Sequence, residues 1–223
     1  MKIQTKLRLL VTSIIAVASL PLQAEDQNKA FFEAIRAGNL SLIEALLNQG
    51  EDANQYESAN PLHPTALSVA SKYGNLSIVD LLLNRGANPN KFNNGGHSNS
   101  LGAAAFEGHL LIMQKLIKHG AQVNLLSHYR HTPLHIATYG NQPQAIRLLA
   151  SEGAHIADPC TTKDCLPWYD TPIEIATSLG YPESLRTLLE LGTTVNDDLL
   201  AQITDKFEQS HPEIVNLAKQ NKN

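Results

Sequence analysis

The residues best suited to bind a metal or haem are histidines, of which the chain has nine. His128, His131 and His135 lie close together near the middle of the chain. Imidazole is a common ligand of zinc and haem iron, but a stable zinc site needs a third fixed ligand and carboxylates that orient the rings. Neither accompanies these histidines in the sequence. We therefore expect no metal site and no cofactor, with His128 and His131 as the remaining candidate ligands.

Two cysteines, Cys160 and Cys165, are the other group that could do chemistry. Their spacing differs from the C-x-x-C of dithiol oxidoreductases, which disfavours a redox role. In an exported protein they are expected to form a disulfide, because oxidising compartments favour pairing. Closing so short a ring contributes roughly 2 kcal/mol on the loop-entropy account. The expected role of this bond is to stiffen a loop.

No catalytic motif is present. The chain lacks G-x-S-x-G, H-E-x-x-H, the P-loop pattern and a G-x-G-x-x-G that follows a strand. Its acidic residues are dispersed, and no pair of them is expected to face across a cleft. We therefore predict that the protein is not an enzyme and has no catalytic residues.

The overall composition is that of a folded protein without a nucleic-acid function. The 223 residues include 17 Lys and Arg against 21 Asp and Glu, a formal charge of −4, with 43% hydrophobic and 5% aromatic residues. Nucleic-acid binding relies on basic side chains that neutralise phosphates, and no long basic run occurs. With only two cysteines, the fold must depend mainly on packing.

The N-terminus has the pattern of a secretory signal peptide. Lys2, Lys6 and Arg8 precede an uncharged apolar run from Leu9 to Leu20. That run is too short to cross a bilayer, which takes roughly 20 apolar residues, and no second such run follows. We expect residues 1–24 to be removed after Ala24, which would change the formal charge from −4 to −7. The expected location is the bacterial periplasm, with no membrane span in the mature chain.

Self-comparison shows a repeat of 33 to 39 residues. Five Leu-rich stretches end in glycine, and an alanine precedes each glycine by 16 positions. The glycines are Gly50, Gly86, Gly120, Gly153 and Gly192, and the alanines are Ala34, Ala70, Ala104, Ala137 and Ala176. This period is typical of a solenoid of stacked units, none of which buries its apolar face alone.

The fourth unit reads Thr-Pro-Leu-His-Ile-Ala over 132–137, and the fifth reads Thr-Pro-Ile-Glu-Ile-Ala over 171–176. On these motifs the sequence resembles the ankyrin-repeat family. The resemblance implies an all-α solenoid of five helix-turn-helix units, at 28–56, 62–92, 96–126, 129–159 and 168–198, with finger hairpins or loops between them. The repeat domain is expected to span 25–198. We expect 199–223 to form a C-terminal cap of one or two helices, broken near Pro212. Helices are expected to dominate over the small hairpins.

Turn residues fit the same pattern. Gly38, Gly74, Gly108 and Gly180 are expected between the paired helices, with Asn141 taking that place in the fourth unit, because asparagine tolerates a left-handed conformation. Most units continue with Gly-x-x-x-Asn, whereas the fourth has Ala157 in place of the asparagine. Thr132 and Thr171 are expected to cap helices. In the family, His135 occupies a structural position and would bond to neighbouring loop backbone.

The resemblance also implies a binding face. The two residues before each inter-helix turn project towards the concave side, and three successive units place an aromatic residue there. The candidate partner-binding residues at these positions are Lys72, Tyr73, Phe106, Glu107 and Tyr139, and those on the fingers are Tyr129, Arg130, Trp168 and Tyr169. With Tyr56 and Phe92 of the fingers, eight of the twelve aromatic residues are expected to face solvent. Exposed aromatic residues commonly anchor protein partners, although they could also fill space between fingers and helices.

Three functions are compatible with these observations. The first is a monomeric periplasmic protein that binds and inhibits or scaffolds another protein, for example an immunity protein against a secreted effector such as a lipase. The second, which the resemblance allows, is a haem- or metal-handling helper of a periplasmic enzyme such as catalase. The third is a structural role in the envelope. We expect the partner to be another protein rather than nucleic acid.

Overall fold

The structure, a computed structural model, describes residues 24–57, 64–92, 99–127, 130–156 and 171–222. These ranges contain twelve α-helices and no strand. The helices are α1 (Ala24–Ala37), α2 (Leu40–Asn48), α3 (Ala66–Lys72), α4 (Leu76–Asn84), α5 (Ser100–Glu107), α6 (Leu110–Lys118), α7 (Pro133–Tyr139), α8 (Pro143–Ser151), α9 (Pro172–Leu179), α10 (Pro182–Glu190), α11 (Asp197–Phe207) and α12 (Pro212–Gln220).

The helices form five pairs followed by a two-helix cap. Each inner helix (α1, α3, α5, α7, α9) packs against the inner helices of the adjacent units, and each outer helix (α2, α4, α6, α8, α10) packs against the adjacent outer helices. The cap extends both layers of helices, with α11 packed against the inner helix α9 and α12 against the outer helix α10. The predicted all-α repeat solenoid is confirmed.

Small residues allow the inner helices to lie close together. The repeated alanines are all buried, with exposed fractions from 0% to 4%. The outer helices bury a stripe of branched side chains against them, such as Ile78, Val79 and Leu82 in α4. The first unit, which lacks the Thr-Pro start, buries Phe31 and Phe32 in edge-to-face contact, with ring centroids 5.9 Å apart.

The turns and helix starts adopt the predicted conformations. Asn141 has φ of 50°, within the left-handed region that the four glycines at this position also occupy. Helices α7 and α9 begin with capping boxes, formed by Thr132 with His135 and by Thr171 with Glu174. Both prolines that follow these threonines lie in the first helical turn, where the missing N–H costs nothing.

The C-terminal segment forms two helices. Helix α12 begins at Pro212, and Ile214 and Phe207 are buried between the two cap helices and the fifth unit. Asn221 donates from Nδ2 to the carbonyl of Leu189 at 2.8 Å, and its own carbonyl accepts from Val195 at 3.0 Å. The end of α12 is therefore hydrogen-bonded to the fifth unit as well as packed against it.

Asparagine side chains connect the first four units at their finger ends. Asn54 donates to the carbonyl of Gly86 at 3.0 Å and accepts from the N–H of Asn88 at 2.7 Å. Asn90 and Asn124 make the same two bonds to the next unit, at 2.8 to 2.9 Å. We call Asn54, Asn90 and Asn124 the asparagine ladder.

Replacing one ladder residue is expected to weaken the stack measurably. Asn90→Ala removes both bonds between the second and third units, and two partly solvated hydrogen bonds together contribute about 1–2 kcal/mol. Urea titration followed by circular dichroism should show that loss in the free energy of unfolding. Asn84→Ala, at an exposed position at the end of α4, is the control and should change stability by less than about 0.5 kcal/mol.

Candidate functional site

The last turns of the inner helices carry the candidate binding residues. Tyr73 is 51% exposed, Phe106 45% and Leu179 47%. Tyr139, which was expected to face solvent, is half-buried because the His131 ring packs against it, and the charged residues of this set are exposed. We name this set the inner-helix row, and it consists of Arg36, Lys72, Tyr73, Phe106, Glu107, Tyr139, Ser178 and Leu179. Large apolar side chains thus remain uncovered at the end of the inner helix in the second, third and fifth units, one residue before the inter-helix glycine for Tyr73 and Leu179 and two residues before it for Phe106.

At the N-terminal end of the row, Arg36 joins the first unit to the second. Its guanidinium donates to the Glu57 carboxylate and lies close enough to Tyr73 to interact with the phenol. The hydrogen bond that Arg36 donates to Glu57 raises the pKa of Arg36, burial opposes this, and Tyr73 adds a smaller increase. Glu57 compensates the charge of Arg36, so this arginine is not a free cation beside Tyr73.

In the middle of the row, the third and fourth units approach each other closely. A Cβ atom built on Gly140 would lie 2.1 Å from the carbonyl oxygen of Phe106. Gly140 has φ of −77°, so this position needs glycine for space rather than for backbone conformation. The backbone beneath Phe106 is consequently fixed by direct contact with the next unit.

Tyr139 is partly covered by histidine rings. The His131 ring centroid lies 5.3 Å from that of Tyr139 and 5.7 Å from that of His135, with which it stacks. His135 is buried, and its Nδ1 accepts from the backbone N–H of Thr132 at 3.3 Å. His131 and His135 therefore serve packing and helix capping in the fourth unit.

The expectation that the first two finger aromatics face solvent was wrong. Tyr56 and Phe92 are half-buried. Tyr56 donates from its hydroxyl to the carbonyl of Phe92 at 3.1 Å, and Lys91 Nζ lies 4.2 Å from the Tyr56 ring centroid. These contacts join adjacent fingers, because polar groups of one finger find their hydrogen-bond partners in the next.

Arg130 belongs to a tight turn in the third finger. It is half-buried and has φ of 59°, which is uncommon for a residue other than glycine. Its N–H donates to the carbonyl of Ser127 at 2.8 Å, and Ser127 donates to the carbonyl of His131 at 2.9 Å.

Several predicted residues lie outside the described ranges. They are Tyr129, Trp168 and Tyr169 of the proposed binding surface, Cys160 and Cys165 of the expected disulfide, His128, and the expected signal peptide up to residue 23.

Sequence reasoning missed a lysine at the C-terminal end of the row. Lys206 of the cap helix α11 donates from Nζ to the carbonyl of Ser178, beside the exposed Leu179. The repeat pattern gave no signal for it, because the cap does not follow that pattern. The row therefore ends in a lysine ammonium that is hydrogen-bonded to a helix carbonyl.

Within the part of the chain that the structure describes, no group of three or more His, Cys, Asp or Glu side chains could hold a metal ion. The same residues include no helix long and apolar enough to cross a bilayer. The row offers apolar and aromatic contact, the exposed charges of Lys72 and Glu107, and hydrogen bonding at its two ends.

Comparison with known proteins shows the family. No curated protein matches the chain. The sequence model described as Ankyrin repeats (3 copies) matches residues 6–93 and 101–198, which together exceed half of the chain. Repeats of this kind are general modules for protein–protein interaction. Together with the stacked helix pairs, this match shows that the chain belongs to the ankyrin-repeat family.

Proposed function

We propose that the protein binds another protein through the inner-helix row and thereby blocks a functional surface of that partner. The observation that carries the proposal is the exposure of Tyr73 and Phe106, at 51% and 45%, in the last turns of the inner helices of adjacent units, where Leu179 of the fifth unit is also uncovered. Exposed aromatic residues in one row are the usual anchors of a protein interface, because their burial releases water from large apolar surfaces.

Contacts between neighbouring units position the inner-helix row before a partner binds. Arg36 of the preceding unit lies beside Tyr73, and the close approach of Gly140 to the Phe106 carbonyl positions the backbone under Phe106. A surface that is ordered before binding loses little conformational entropy on association, which favours tight inhibition. Occlusion needs no reacting group, in agreement with a row made of apolar, aromatic, charged and hydrogen-bonding side chains.

The proposed setting is the bacterial periplasm. The basic and then apolar N-terminal pattern supports export, and export in turn supports a disulfide between Cys160 and Cys165. In this setting the protein would act as an immunity protein that masks a secreted effector, for example a lipase, as a monomer.

The test is affinity capture of the mature chain from envelope extracts, followed by measurement of the dissociation constant for any stoichiometric protein partner. Tyr73→Ala with Phe106→Ala should weaken binding at least about tenfold, since each loses an interface anchor. Leu111→Ala is the matched control, because Leu111 is 67% exposed on outer helix α6 and lies outside the row. It should bind as the wild type does.

Addition of Tyr139→Ala to the double variant should weaken binding further. Because Tyr139 packs against His131, thermal melts must first show that the triple variant is folded. Unchanged affinity of the folded double and triple variants would refute the assignment of the face. If the captured partner is an enzyme, its activity should fall to zero at an equimolar ratio.

A further inference from the structure

The last turns of two inner helices receive hydrogen bonds from the following unit. Asn75 of the second unit donates from Nδ2 to the carbonyl of Ile35 at 2.9 Å. In the third unit, Nε2 of His109 lies 3.1 Å from the carbonyl oxygen of Lys72. Because a carbonyl oxygen can only accept, Nε2 of His109 carries the proton and donates.

Both donors occupy the same position of the repeat. Each directly follows an inter-helix glycine and directly precedes an outer helix, α4 for Asn75 and α6 for His109. Neither side chain bonds to the start of that helix. Asn39, at the matching position of the first unit, instead accepts from the N–H of Leu42 in its own helix at 3.1 Å. The second and third units thus direct this side chain to the preceding unit, where the last carbonyls of a helix lack donors from that helix.

The C-terminal cap supplies a similar bond from a lysine. Lys206, in the last turn of α11, donates from Nζ to the carbonyl of Ser178 in the fifth unit. A Cβ atom built on Gly180, the inter-helix glycine of that unit, would lie 3.6 Å from Cε of Lys206. The ammonium group lies at the C-terminal end of α9, where the helix dipole favours a cation. We call Asn75, His109 and Lys206 the cross-unit caps.

Glycine at the inter-helix turns leaves room for side chains of the following unit. A Cβ atom built on Gly74 would lie 2.9 Å from Cε1 of His109, and one built on Gly108 would lie 2.4 Å from Oε1 of Gln142. A larger residue at either turn would push the side chain above it away. Glycine is therefore needed there by the following unit as well as by the local backbone, which has φ of 74° and 75°.

The accepting carbonyls are adjacent to exposed members of the inner-helix row. Each belongs to the peptide group that joins the capped residue to an exposed side chain of the row, and the three pairs are Ile35 and Arg36, Lys72 and Tyr73, and Ser178 and Leu179. A hydrogen bond to such a carbonyl opposes rotation of that peptide group. The cross-unit caps therefore act on the backbone from which these exposed side chains project.

From these contacts we infer that Asn75, His109 and Lys206 are positioning residues of the binding surface. Each holds one exposed member of the inner-helix row in place from the following unit or from the cap, without itself belonging to the row. The part that they play in binding rests on the proposed function. Their effect on the order of the row is a property of the free chain and can be tested without a partner.

Nuclear magnetic resonance of the free protein tests the bond made by His109. Long-range proton–nitrogen correlation spectra distinguish the two ring nitrogens of each histidine. At a pH where the ring is neutral, the proton of His109 should reside on Nε2, because the carbonyl of Lys72 accepts it. A neutral ring with its proton on Nδ1 would overturn the inference for this unit.

Two variants of His109 test its effect on the row. His109→Ala should lower the backbone order parameters of residues 72–74 by at least about 0.1, since rigid backbone has a value near 0.85. His109→Asn should restore them, because Asn75 makes the same bond with asparagine at this position. His119→Ala, at the exposed end of α6, is the control and should leave them unchanged. Unchanged order in His109→Ala, or an equal loss in both His109 variants, would overturn the inference.

A matched pair of lysine variants tests the C-terminal cap. Lys206→Met keeps the apolar stem but removes the donor, so the order parameters of residues 178–180 should fall by at least about 0.1. Lys219→Met, at an exposed position of α12, is the control and should change nothing at this turn. If Lys206→Met leaves residues 178–180 as ordered as in the wild type, Lys206 does not position Leu179.

Binding measurements separate this inference from the proposed function. For a partner whose binding depends on Tyr73 and Phe106, His109→Ala should raise the dissociation constant at least about threefold, because the row must then be ordered on association. His109→Asn should bind as the wild type does. Equal affinity of His109→Ala and the wild type, together with lost binding in Tyr73→Ala with Phe106→Ala, would overturn the positioning role and leave the proposed function standing. Unchanged binding by the folded double variant would refute the proposed function, while the order parameters would still decide whether the caps order the row.

Discussion

Replacing Leu116 by alanine is expected to lower the free energy of unfolding by about 2–5 kcal/mol. Leu116 is 0% exposed in outer helix α6, where it packs with Met113 and Ile112 against the inner helices. Removal of three buried carbon atoms loses their transfer free energy and leaves a cavity that the stack can only partly close. A unit in the middle of a solenoid has neighbours on both sides, so the cavity affects two interfaces.

The same helix provides a matched control. Leu111 is 67% exposed, and Leu111→Ala should change the free energy of unfolding by less than about 0.5 kcal/mol. Urea titrations of both variants and the wild type, followed by circular dichroism, measure the difference. A loss of less than 1 kcal/mol in Leu116→Ala would contradict the packing described for α6.

Gly140→Ala is expected to destabilise the protein by about 1–3 kcal/mol, the range of overpacked core substitutions. The added Cβ would lie 2.1 Å from the Phe106 carbonyl oxygen, and a backbone atom cannot rotate away as a side chain can. The third and fourth units must therefore separate slightly at the inner-helix row. Thermal melts measure the stability, and exchange of the amides in α5 and α7 shows whether the loss is located there.

The control for this substitution uses the same register of another unit. Leu179 lies one residue before its inter-helix glycine, as Gly140 lies one residue before Asn141, but Leu179 is exposed. Leu179→Ala should change stability by less than about 0.5 kcal/mol. If Gly140→Ala melts at the wild-type temperature, the close approach of the two units does not exist.

Much of the fold could be predicted from local sequence because its features depend on backbone conformation and short motifs. Asn141 was expected to replace glycine in a left-handed turn, and its φ of 50° confirms this. The capping threonines and the helix start at Pro212 follow from equally local rules. The alanine register predicted the closely packed inner helices, since only small residues allow them to approach.

The exposure of individual site residues was harder to predict, because it depends on the neighbouring unit. Tyr56 was expected to face solvent, but its hydroxyl donates a hydrogen bond to the carbonyl of Phe92 in the next finger. The partners of the ladder asparagines likewise lie 29 to 34 positions further along the chain, counted from each asparagine to its glycine and to the amide beyond it. Lys206 belongs to the cap and follows no repeat pattern. Contacts of this kind become visible only when the units are stacked.

The bonds between neighbouring units join residues that are close in sequence, and this has a consequence for synthesis. The side-chain hydrogen bonds and ion pairs that join neighbouring units within the described ranges connect residues at most 43 positions apart. A polypeptide emerging from a ribosome, or from a translocation channel, would thus complete each set of bonds as soon as one more unit had appeared. Low sequence separation of contacts favours rapid folding. Assembly can accordingly proceed from the first unit towards the last while the rest of the chain is still being delivered.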